Sequence, residues 1–137
     1  MPGGQCPLAL RPGPGYDMFF HMLTTLTEAQ CRHAMSSGEF PPEVTAAAPI
    51  VVIVLTQSWC PQWTMLRAML QGLPEDSGRA FFQVEYDLVP WFEDFMAFKE
   101  RVLGNDLVPY LRYYRNGSLF KTSNWLDRSS FLRIIES

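Results

Sequence analysis

Cys60 is the residue of this chain best placed to do covalent chemistry. It stands in Ser58-Trp59-Cys60-Pro61, directly after the β-branched run Ile50-Val51-Val52-Ile53-Val54-Leu55 and before an amphipathic segment carrying Met65, Leu66, Met69 and Leu70. Apolar residues on both alternating faces predict a central strand covered on both sides, and the 3–4 spacing that follows predicts a helix. Pro61 suits the first helical turn, where a missing N–H costs nothing. Cys60 thus falls at a helix N-terminus, whose free amides and positive dipole end favour a thiolate, the form of cysteine that attacks disulfides. This position also predicts incomplete burial of the sulfur. Two readings fit: a reactive thiol, or a small apolar residue left at a loop without chemistry.

The other candidates are weaker. Cys31 is either a distant second thiol or, the better reading, an ordinary cysteine of an amphipathic helix. Cys6 lies in a Pro- and Gly-rich tail and reads as adventitious. Three cysteines make no disulfide framework, and no Cys/His spacing suits a metal, so neither metal nor cofactor is expected. His21 and His33 read as structural or surface residues. Glu93 and Asp94 are adjacent and point to different sides of a helix, so they make no catalytic pair.

The elements that must position Cys60 follow from pattern. Residues 1–15 read as a flexible tail and residues 16–137 as one domain, with its core at about 49–136. Residues 16–26 fit either a short helix or an extra strand. Thr27 and Gln30 have capping-box spacing for a helix from about Glu28 to Met35, ended by Gly38. Ala80 to Tyr86 reads as a second strand. Pro90 opens a helix with Phe92, Phe95, Met96, Val102 and Leu103 on one face, closed by Gly104. Asn116-Gly117 marks a hairpin between Tyr110–Arg115 and Ser118–Thr122. Asp127 caps a last helix through Ile135, with Phe131, Leu132 and Ile135 inward. Strands joined through a helix run parallel, and the hairpin adds an antiparallel pair, giving an α/β fold with a mixed sheet.

Over residues 49–136 this order resembles the thioredoxin family. The resemblance rests on Trp59-Cys60-Pro61 at a strand-to-helix junction, Val108-Pro109 before the hairpin, and the turn Tyr114-Arg115-Asn116-Gly117. It implies a thioredoxin-like fold with an N-terminal extension, a cis-proline at Val108-Pro109, and a substrate surface at Val108, Pro109 and Tyr110 beside the loop Trp59, Cys60, Pro61, Gln62, Trp63. On that surface Trp59 is expected exposed and Trp63 in the core. Two departures stand out. Trp63 takes the place of the family's second cysteine, and Val54 that of its buried aspartate. The implied activity is that of a monothiol thiol–disulfide oxidoreductase, forming mixed disulfides through Cys60. The partner is a protein or peptide thiol or disulfide, and glutathione is a candidate external thiol. No Gly-Gly-X-Asp-type segment for glutathione follows the hairpin. The alternative is a redox-inactive binding module for a peptide or protein.

A net charge of -3 with pI ≈ 5.3 and scattered basic residues argue against nucleic acid or a membrane surface. The longest apolar run, Ala46 to Leu55, is far short of the ~20 residues of a membrane span. A cytoplasmic location is the expectation.

Overall fold

The computed structural model describes residues 22–137. The tail 1–15, Cys6 and His21 lie outside the described residues. Strand β1 (Leu23–Thr25) leads into helix α1 (Glu28–Ser37), the short α2 (Pro42–Thr45) and the central strand β2 (Ile50–Thr56). Then come α3 (Pro61–Gly72), β3 (Arg79–Glu85), α4 (Phe92–Ala97), β4 (Tyr110–Arg115), β5 (Ser118–Ser123) and α5 (Arg128–Ile135). The described strands form one sheet in the order β1-β3-β2-β4-β5. β1 and β2 each run parallel to β3, whereas β4 runs antiparallel to both β2 and β5.

Local chemistry accounts for the boundaries. Thr27 and Gln30 form the reciprocal capping box at α1, and Gly38 ends that helix at φ 88°. The 16–26 alternatives resolve in part, since Leu23–Thr25 pairs with β3 as a strand. The hairpin turns through Asn116 at φ 51° and Gly117 at φ 86°, the left-handed pair that suits the twist of antiparallel strands. The expected single helix after Pro90 is instead two coils. α4 widens into a π-helix over Phe98–Val102, where Leu103 N donates to Phe98 O at 3.1 Å.

The pleat of β2 divides the core. Val51, Ile53 and Leu55 pack with Cys31, Ala34 and Phe40 from the α1 side, and with Phe95 of α4 and Phe98 of the π-helix. Val52 and Val54 pack with Cys60, Trp63, Leu66 and Leu70 around α3, and with Phe131 and Ile135 of α5. Leu132, expected inward with them, is only partly buried. The sheet therefore separates Cys31 from Cys60. Arg112 is a buried charged side chain on the α1 face. Its guanidinium donates to Tyr114 OH (2.8 Å), Tyr110 OH (3.1 Å) and Glu39 Oε1 (2.9 Å), tying the α1–α2 connection to β4.

Candidate active site at the Cys60 loop

Cys60 is the N-cap residue of α3, with Pro61 as the first helical residue. No side chain caps this helix end. The loop that delivers it is pinned from below, because Asp87 accepts from Ser58 N at 2.8 Å and from Ser58 Oγ at 2.6 Å. Trp59 is 65% exposed, and Pro61 and Gln62 are also exposed. Cys60 itself is 2% exposed, which corrects the expectation of a partly open sulfur. The cause is local. Sγ lies 3.4 Å from Gln62 Oε1 and 3.7 Å from the carbonyl oxygen of Val108, two acceptors competing for one weak S–H donor.

Val108-Pro109 is a cis peptide. It brings the Val108 carbonyl to the sulfur from a loop 48 residues further along the chain. Tyr110 does not join them. Side chains alternate along β4, so Leu111 and Tyr113 take the α3 face while Tyr110 turns to the α1 face, 3% exposed. The site as built therefore comprises Cys60, Gln62, Val108 and Pro109, with Trp59 at its rim.

Trp63 is fully buried beneath the loop. Its Nε1–H donates to Glu85 Oε2 at 2.7 Å, and Arg67 Nη1 reaches the same oxygen at 3.4 Å. The Arg67 guanidinium also lies 5.7 Å from the centre of the indole ring. Sequence reasoning missed Glu85. Its signal was the alternation of β3, which puts Phe81, Gln83 and Glu85 on one face. No second thiol approaches Cys60 among the described residues. Cys31, across the sheet, is 0% exposed, and burial with Glu28 nearby pushes its pKa up to about 12.

A polar cradle holds the Val108-Pro109 loop. Asn124 Nδ2 donates to Pro109 O at 3.0 Å and to Asn105 Oδ1 at 3.1 Å, and Asn105 Nδ2 returns a bond to Asn124 Oδ1 at 3.1 Å. Lys99 enters this cradle from the π-helix. Among the described residues no group of acidic, His or Cys side chains could hold a metal ion. No helix among them is long and apolar enough to cross a membrane.

No family model and no curated protein matches this chain. Solved structures do. A mutant thioredoxin from Halobacterium salinarum aligns over 89% of this chain and 94% of its own, at 17% identity and a TM-score of 0.60. The chain has the thioredoxin fold. Malassezia sympodialis thioredoxin covers 90% of this chain and 96% of its own at 16% identity, with a TM-score of 0.61. The short form of spinach chloroplast thioredoxin f covers 88% and 96% at 16% identity, with a TM-score of 0.59. Likeness at these identities shows the fold alone.

Proposed function

We propose that this protein is a monothiol thiol–disulfide exchange protein acting through Cys60 on an extended polypeptide. One observation carries the reading: the Cys60 sulfur stands at an uncapped helix N-terminus, 3.7 Å from the carbonyl that precedes a cis-proline. The helix end favours negative charge on sulfur. The Val108 backbone is an edge on which an extended segment can pair, with Trp59 as an apolar contact beside it.

The reaction balances without a second protein thiol. The Cys60 thiolate attacks one sulfur of a substrate disulfide. A Cys60–substrate bond forms, the old S–S bond breaks, and the other sulfur leaves as a thiolate with the electron pair. A low-molecular-weight thiolate, glutathione being the expected one, then attacks the substrate sulfur of the mixed disulfide: a glutathione–substrate disulfide forms, the Cys60–substrate bond breaks, and Cys60 leaves as a thiolate with the electron pair. Trp63 has no sulfur for that second step, and Cys31 is on the wrong side of the sheet. The Glu85 carboxylate is occupied by Trp63 and Arg67, so it does not take the place of a proton-handling acid at residue 54.

A second reading, a thioredoxin-fold binding module, draws on the same site. It is favoured by the burial of Cys60, whose S–H already has acceptors. Incubating the protein with a peptide disulfide and mapping adducts by mass spectrometry separates the two. A Cys60–peptide adduct that is removed by glutathione supports exchange. Peptide binding that survives Cys60→Ser, with no adduct in the parent protein, supports the binding module.

A further inference from the structure

Lys99 is the unexplained group of this fold. It is 0% exposed, yet among the described residues no carboxylate lies within ion-pair distance of it. Its Nζ instead donates to Leu107 O at 2.7 Å and Asn105 O at 2.9 Å, with Asn105 Oδ1 at 3.4 Å. The ammonium has three N–H groups, and these three oxygens take them all. It also stands 5.6 Å from the centre of the Tyr110 ring. A buried charge without a counter-ion is costly, so these hydrogen bonds must offset its desolvation.

What Lys99 holds is the loop that faces Cys60. The carbonyls of Asn105 and Leu107 are taken by Lys99, and that of Pro109 by Asn124. Between them the Val108 carbonyl remains directed at the Cys60 sulfur. The π-helix contributes by widening the coil at Phe98–Val102, and Asn105 N closes back on Lys99 O at 3.2 Å. We infer that the Lys99 ammonium is a positioning group for polypeptide exchange, holding the Val108 backbone in register with Cys60. This inference rests on the exchange reading above.

Protonation is part of the device. A neutral amine would keep two N–H donors and turn a lone pair toward the third oxygen. Burial holds the Lys99 pKa down to about 8, while Glu100 on its own helix and Asp106 in the loop act in the opposite direction. Tyr110 of β4 also faces it. The tether therefore weakens as pH rises through about 8.

The test compares two probes that release the same coloured thiolate, 2-nitro-5-thiobenzoate. One carries it on an extended cysteine peptide and the other on 2-mercaptoethanol. In each, Cys60 bonds the probe sulfur, the probe S–S bond breaks, and the nitrothiobenzoate leaves with the electron pair. Only the peptide can use the Val108 backbone. Lys99→Met is expected to slow the peptide about tenfold while changing the small probe less than about twofold. Its melting temperature should fall, because the carbonyls of Asn105 and Leu107 lose their donor. Lys99→Gln, which keeps two donors without the charge, should recover part of the peptide rate. In the parent protein the ratio of peptide to small-probe rates should fall as pH rises through about 8 and stay flat in Lys99→Met.

Equal slowing of both probes, or a pH-independent ratio in the parent, overturns the inference. If neither probe reacts with the parent, the exchange reading fails separately. Positioning is then judged by hydrogen exchange at the Leu107 amide, which donates to Asn105 Oδ1 at 3.0 Å. Faster exchange in Lys99→Met upholds the tether, and an unchanged rate rejects it.

Discussion

Trp63 and Glu85 are joined by a 2.7 Å hydrogen bond from the indole N–H to the carboxylate, beneath the helix that carries Cys60. The residue standing where a second thiol would be expected is therefore a fully buried, hydrogen-bonded part of the core.

This changes what a Trp63→Cys variant should do. Adding a thiol three residues after Cys60 supplies a resolving nucleophile in principle. It also removes an indole from a packed site and strips Glu85 of its 2.7 Å donor. The expected cost is about 3–5 kcal/mol, the range for emptying a buried aromatic site. Urea unfolding followed by circular dichroism should show it. Trp63→Phe, which keeps most of the volume and loses the N–H, should cost about 1–3 kcal/mol. A Trp63→Cys protein as stable as the parent would mean that the indole does not support α3.

The two described thiols should differ sharply in labelling. Cys31 is buried among core residues, with its pKa pushed up to about 12, so it should resist iodoacetamide in the native protein. Cys60 is buried at a helix end, but its polar contacts are exposed Gln62 and the Val108 loop, and it should label first. In denaturant the two should label at similar rates. Timed alkylation with peptide mapping reads this directly, and native Cys31 labelling at the rate of Cys60 would refute it.

The acid limb of the stability curve should contain a contribution from α5. Asp127 caps that helix by accepting from Ser130 N at 2.8 Å, and this bond holds its carboxyl below the usual range. A depressed carboxyl pKa stabilises the fold above the unfolded value, and the benefit disappears as pH falls through the folded one. Asp127→Asn keeps a capping oxygen without the titration. Its melting temperature should therefore fall less steeply than the parent's between about pH 6 and about pH 2.

Glu39 and Arg112 should be strongly coupled. The guanidinium is nearly buried and meets Glu39 at 2.9 Å. Glu39→Gln should destabilise by about 1–3 kcal/mol, since the carboxylate is partly exposed and partly screened. Arg112→Met combined with Glu39→Gln should cost less than the sum of the single changes. A double-mutant cycle by chemical denaturation measures the difference, and simple additivity would show that the pair is not a unit.

Much of the frame was legible because local signals agreed with one another. The all-apolar Ile50–Leu55 run meant a central strand, Thr27 with Gln30 meant a capped helix, and Asn116-Gly117 meant a hairpin. The site was legible where it follows from chain order, as at Cys60-Pro61 and Val108-Pro109. Tyr110 was misplaced because adjacency to Pro109 says nothing of strand parity, and β4 turns it to the α1 face. The burial of Cys60 depends on contact with Val108, a long-range fact with no local trace. Lys99 did leave a trace, since it falls four residues after Phe95 on an otherwise apolar helix face. Asn105 and Asn124 meet only in three dimensions.

The sheet that parts Cys31 from Cys60 also governs how these two thiols respond to an oxidant. They cannot give up two electrons by bonding to each other, so oxidation of the native fold leaves no crosslink between Cys31 and Cys60. Under the proposed exchange, oxidation of Cys60 in the presence of another thiol is recorded as an added mass on one peptide. That record reports the identity of the molecule encountered as well as the fact of oxidation.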